Sequence, residues 1–147
     1  MPILTFHLVD GRHAPERVRA LLRDCCQVYA DVLGSSMERV RAFVSLHAPE
    51  LTFVAGRFAD ESVGPVGGPG DLSAPFFQFI VLRGRPLEQR QRLLVAFTDL
   101  AVEHLGVHRE LVRGRAIEVE PVDWAIAGTS AAERRADEIA ARAVTGR

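Results

Sequence analysis

Two segments of this 147-residue chain repeat each other in register. The first, PILTFHLVDGR, begins at Pro2, and the second, PFFQFIVLRGR, begins at Pro75. Pro2 and Pro75, Phe6 and Phe79, and Gly11-Arg12 and Gly84-Arg85 all stand 73 residues apart. A later pair, Val40-Arg41 and Val112-Arg113, stands 72 apart, so one residue is lost between the landmarks. A repeat of this length predicts one domain of two like units.

The hydrophobic pattern says what each unit is. Ile3 to Val9 reads as a strand stopped by Asp10-Gly11. From Pro15 to Leu33 the apolar residues Val18, Leu21, Leu22, Cys25, Val28, Tyr29, Val32 and Leu33 form a helical stripe, with Pro15 in the first turn and Gly34 as the C-terminal cap. Arg39 to His47 alternates as a second strand. The order then repeats: Phe76 to Leu82 as strand, Pro86 to Leu105 as helix ending at Gly106, and Val112 to Val119 as strand. Two β-α-β units with right-handed crossovers predict an α/β (α+β) four-stranded sheet, helices on one face and a pseudo-twofold axis between the units. The uncovered sheet face then calls for oligomerisation.

The units span residues 2–57 and 75–128. A Gly/Pro-rich connector (58–74) separates them, and a helical tail (129–147) follows, with Ser130 as N-cap and Glu133 completing a capping box. The GPVGGPG core of the connector has no lysine or helix start behind it, so it reads as a linker rather than a phosphate loop.

Composition narrows the chemistry. All 18 basic residues are arginine. With no lysine there is no Schiff-base, phosphate-loop or lysine general-base chemistry, although a GC-rich codon bias produces the same composition. The arginines are offset by 19 acidic residues without a basic run, which gives no nucleic-acid footprint. No apolar run approaches the roughly 18 residues of a membrane span, and the start lacks a signal-peptide pattern, so a cytoplasmic protein without membrane contact is expected. Adjacent Cys25 and Cys26 read as buried thiols rather than a disulfide framework. The five histidines lack metal-ligand spacing; neither metal nor cofactor is expected.

Pro2 at the head of a strand, Gly-Arg at its end, the Val40-Arg41 pair and the internal repeat together resemble the tautomerase superfamily, whose members keep an amino-terminal proline. The likeness is to a fused, double-length 4-oxalocrotonate tautomerase, a tautomerase/MIF-like fold, and leaves the connector and tail unmatched. It implies an isomerase that moves a proton on a small unsaturated 2-keto or 2-hydroxy-dienoic acid. It also implies a homo-oligomer, a trimer that mimics the hexamers of the short form, and a role in aromatic compound catabolism. Loss of Met1 leaves Pro2 a secondary amine, which titrates near 8 and is lowered by an apolar pocket with cationic neighbours. Pro75 has an amide nitrogen, so one active proline per chain is expected.

Guanidinium forks bind a substrate carboxylate at two points. The resemblance places Arg12, Arg41, Arg85 and Arg113 at the paired arginine positions, and Arg83 beside Arg85 as in the decarboxylase and dehalogenase members. Arg83, Arg85 and Arg113 are favoured over Arg12, with a surface ion pair as the competing reading for each. Trp124, eleven residues after Arg113, matches the aromatic that makes the pocket apolar, and Tyr29 lies where some members use a helix residue. Core packing competes for both.

Other chemistries stay open. A malonate-semialdehyde-decarboxylase-like lyase is weakened by Arg39, with Glu38 beside it, at the position of that enzyme's aspartate. A haloacrylate-dehalogenase-like hydratase is weakened because the sole tyrosine is Tyr29. A non-catalytic oligomeric scaffold is the reading if Met1 is retained.

Overall fold

A computed structural model describes residues 2–146. Met1 lies outside the described residues, and with it the expectation that it is removed. Four seven-residue strands form the main sheet: β1 (Ile3–Val9), β2 (Arg41–His47), β5 (Phe76–Leu82) and β6 (Arg113–Val119), in the order β2-β1-β5-β6. Within each unit the strands run parallel, across the crossover helices α1 (Pro15–Leu33) and α2 (Leu87–Leu105). Between units, β1 and β5 run antiparallel, pairing Leu4 with Phe79 and Phe6 with Phe77. The pseudo-twofold axis therefore passes between β1 and β5. Each end of this central ladder carries the proline of one unit and the Gly-Arg of the other.

Alternation puts Leu4, Phe6 and Leu8 of β1, and Phe77, Phe79 and Val81 of β5, on the face covered by both helices; all six are buried. The helices align at an offset of 72 residues, Leu21 on Leu93 and Leu33 on Leu105, and the alignment exposes a swap. Cys25 answers to Phe97 and Tyr29 to Ala101, so a small and a large side chain change places. Phe97 then fits edge-on against Tyr29 (5.4 Å between centroids) and Phe79 (5.2 Å). Two identical helices would leave a void or a clash at the axis, so the exchange is what lets duplicated units share one core. Both helices end in left-handed glycines, Gly34 (φ 60) and Gly106 (φ 68). At Gly114 in β6 a Cβ would stand 2.2 Å from the Phe77 ring, so that strand position admits no side chain.

Two short hairpins follow the outer strands, β3 (Phe53–Val54) with β4 (Arg57–Phe58), and β7 (Ala125–Ile126) with β8 (Thr129–Ser130). The sheet face away from the helices leaves Phe43 54% exposed. The tail is not the single helix expected. It divides at Arg135 (φ −126) into α3 (Ala131–Arg134) and α4 (Ala136–Thr145). Ser130 does cap α3, its hydroxyl accepting from the Glu133 N–H at 3.3 Å. No helix is long and apolar enough to cross a membrane.

Candidate active site

Pro2 is buried at the start of β1, and its carbonyl accepts the Arg41 N–H at 2.9 Å, which ties the proline to the edge strand. It lies in a narrow cleft between the end of α1 and the end of β5, among Leu33, Ser35, Ile80 and Leu82, and Arg85 lines the same cleft. Arg85 reaches there from the turn between β5 and α2. Its Nη1 donates to the Leu33 carbonyl at 2.7 Å and to Gln89 Oε1 at 3.4 Å, and no carboxylate pairs with it among the described residues. Burial, and then the neighbouring Arg142, weaken the hold of this guanidinium on its proton, to a pKa of about 10. Outside the cleft a basin of about 520 Å³ opens, bordered by Arg39, Arg85, Gln89, Glu138 and Arg142.

Tyr29 stands beneath this end. Fully buried, it donates its hydroxyl to the Ile80 carbonyl and reaches the Ile3 carbonyl at 3.4 Å, bracing the two strand ends beside Pro2. Burial pushes the phenol well above its ordinary pKa. Arg83 is an exposed group paired with Glu120 at 2.7 Å. The Arg41 guanidinium donates to the Glu38 carbonyl at 2.7 Å. Trp124 follows β6 and buries an indole N–H with no partner among the described residues.

The other end of the ladder gathers the remaining candidates. The Pro75 carbonyl accepts the Arg113 N–H at 3.0 Å, which places Arg113 beside Pro75 and not, within one chain, beside Pro2. Arg12, the counterpart of Arg85, binds the connector: Nη2 is 2.8 Å from Asp71 and Nε donates to Ser73 Oγ at 3.2 Å. Asp71 also accepts from the N–H groups of Gly67 (2.8 Å) and Ser73 (3.0 Å). Burial raises its carboxyl, but these donors outweigh it and hold the group below the usual carboxylate range. Beside this closed site, His7 Nδ1 meets His47 Nε2 at 2.8 Å on the open sheet face. Burial and then His47 hold the His7 imidazole below its ordinary pKa.

Sequence reasoning assigned no role to Arg39, Arg135 or Arg142. The last two stand in the tail beyond the repeat, where nothing in the spacing points back to Pro2. Asp71 was equally hidden, as an acid in a Gly/Pro-rich linker. Among the described residues no group of three His, Cys, Asp or Glu side chains is gathered as a metal site.

Residues 75–134 match the sequence profile of the family described as Tautomerase enzyme. No curated protein matches the chain in sequence. Among solved structures, it is similar to Pt0534 inactivated by 2-oxo-3-pentynoate, at TM-score 0.77 and 21% identity over 90% of this chain and 98% of that one. A native fused 4-OT gives TM-score 0.76 and 22% identity over 89% and 97%. An F6 fused 4-OT, an asymmetric trimer, gives 0.75 and 21% over 90% and 98%. The sequence profile falls on the second unit, whereas the shared fold spans both.

Proposed function

We propose that this chain, a tautomerase-superfamily protein of the fused 4-oxalocrotonate tautomerase type, is an isomerase that moves a proton on a small unsaturated 2-keto or 2-hydroxy-dienoic acid. The observation that carries the reading is that Pro2 and Arg85 line one cleft and Arg85 has no carboxylate partner there, whereas the equivalent Arg12 is already occupied by Asp71. An arginine without an anion beside a proline nitrogen is the arrangement a carboxylate substrate completes.

Once Met1 is removed, Pro2 is a secondary amine between Leu33, Ile80 and Leu82, with Arg85 and Arg142 close by. Apolar walls and cationic neighbours both disfavour the ammonium form, so its pKa falls from near 8 towards neutrality. The neutral amine takes the enol O–H proton. The electron pair moves through the diene, and the ammonium returns the proton to carbon, leaving the ketone and a free base. Arg85 binds the carboxylate and Arg83 adds positive charge at the rim. Trp124 contributes apolar surface, and Tyr29 sets the spacing of the strand ends through its carbonyl bonds. Arg41 borders Pro2 on the edge strand. Because Arg113 sits beside Pro75 in its own chain, it reaches a Pro2 site only from a second copy, as in the trimeric assembly proposed here. Arg12, bound to Asp71, takes no part.

The test is ketonisation of 2-hydroxymuconate and phenylenolpyruvate, followed by ultraviolet absorbance, for protein shown by mass to lack Met1. Pro2→Ala is expected to lower kcat/KM by roughly 10³-fold, the scale of a lost general base. No acceleration over buffer by the Met1-free protein overturns the reading.

A further inference from the structure

The cleft beside Pro2 and the basin outside it meet at Leu33, Arg85 and Arg142. Four guanidinium groups border the combined space, from Arg39, Arg85, Arg135 and Arg142, against two carboxylates, Asp31 and Glu138. Neither acid neutralises the interior. Asp31 accepts from the Gln27 amide at 2.9 Å, and Glu138 is shared between Arg39 at 3.3 Å and Arg135 at 4.0 Å. No ion pair engages Arg85 or Arg142 among the described residues.

Packing guanidinium groups together in a half-buried pocket is unfavourable until an anion lies between them. Arg85 is the group beside the reacting nitrogen, so one carboxylate is accounted for. Arg142 faces both the cleft and the outer basin, and Arg39 borders the basin alone. Their charges are directed at space that a single carboxylate on Arg85 does not fill. Arg142 and Arg135 arrive on the C-terminal tail, outside the two β-α-β units, so the tail converts a one-arginine cleft into a multi-arginine basin.

We propose that α4 is part of the substrate site and that Arg142, with Arg39 behind it, binds a second anionic group of the substrate, at the end remote from Pro2. The preferred substrate is then a dianion, with one carboxylate on Arg85 and the other under the tail. This rests on the Pro2 reading for its chemistry, but its anion-binding content depends on the arginines alone.

The decisive measurement is calorimetric titration with fumarate and crotonate, which differ by one carboxylate and undergo no ketonisation. Wild-type protein is expected to bind fumarate roughly tenfold more tightly, the scale of one charge-assisted contact. Arg142→Ala should erase that preference and Arg142→Lys should restore part of it, the latter keeping the charge if the alanine variant loosens the tail. In turnover, Arg142→Ala should raise KM for 2-hydroxymuconate, with two carboxylates, more than for phenylenolpyruvate, with one. Equal affinities in the wild type, or a preference that survives Arg142→Ala, overturn the proposal. Pro2→Ala should keep the fumarate preference, so a failure of the proline chemistry and a failure of the tail site are read separately.

Discussion

At the Pro75 end of the sheet, Arg12 is held by a carboxylate from its own chain; at the Pro2 end, Arg85 is held by a backbone carbonyl and an amide. The two arginines are the same landmark of one repeat, and their different partners come from segments outside it. The connector delivers Asp71 and Ser73 to one, and the tail delivers Arg135 and Arg142 to the other. Duplication gives two like ends, and the added segments give them opposite charge states. The end whose proline nitrogen is a chain amide is satisfied internally, while the end whose proline can become an amine is left short of an anion.

The sharpest way to break this comparison is to make the same change at both prolines. Pro2→Ala is expected to cost roughly 10³-fold in kcat/KM, whereas Pro75→Ala should leave it within about twofold, because an amide nitrogen moves no proton. Equal losses in the ultraviolet ketonisation assay would mean that the two ends work as one site or that neither proline is the base.

The arginines invert the contrast. Arg12→Ala strands the Asp71 carboxylate, which is closed off from solvent, and should destabilise the protein by about 3–5 kcal/mol in denaturant unfolding. Arg85→Ala removes a cation crowded by Arg142 and should leave stability within about 1 kcal/mol, while lowering kcat/KM by roughly 10–100-fold. If both variants lose stability alike, Arg85 is a structural counterpart of Arg12 and the cleft is not an anion site.

How far the sequence foretells this depends on which residues are repeated. The strands, both crossover helices and their glycine caps follow from patterns that recur at 72 or 73 residues, and the structure places them within two residues of expectation. The juxtaposition of Pro2 with Arg85 also follows, since antiparallel pairing of two like units must bring the head of one strand to the tail of the other. The occupants of the two ends do not follow. Asp71 and Arg142 belong to unrepeated segments whose local pattern names a linker and a helix but not a docking partner. The break at Arg135 was equally silent, because AAERRADEIAAR reads as one continuous helix by propensity.

The smaller effects concern Asp71, whose carboxylate stands where the opposite end is left open. Asp71→Asn keeps the side-chain volume and removes the charge facing Arg12, with an expected loss of about 2 kcal/mol at pH 7. The carboxyl titrates below its unfolded value of about 3.9, so the ion pair contributes in full above that pH and is lost as pH falls through the lower, folded value. The stability gap between wild type and Asp71→Asn should therefore be flat from pH 7 to about 5 and close below 4. A gap that changes between pH 5 and 8 instead would assign the effect to a histidine, His13 being the nearest candidate because Arg12 and Asp71 both act on it. Removing the side chain altogether adds one further expectation. Asp71→Ala leaves Arg12 facing a vacated anion position, so acetate should raise its melting temperature in proportion to ligand binding while leaving wild type unchanged. Such rescue would make the closed end chemically equivalent to the open one. Failure of acetate to rescue would instead mean that Ser73 and the Gly67 backbone rearrange, and that the likeness of the two ends stops at the arginine.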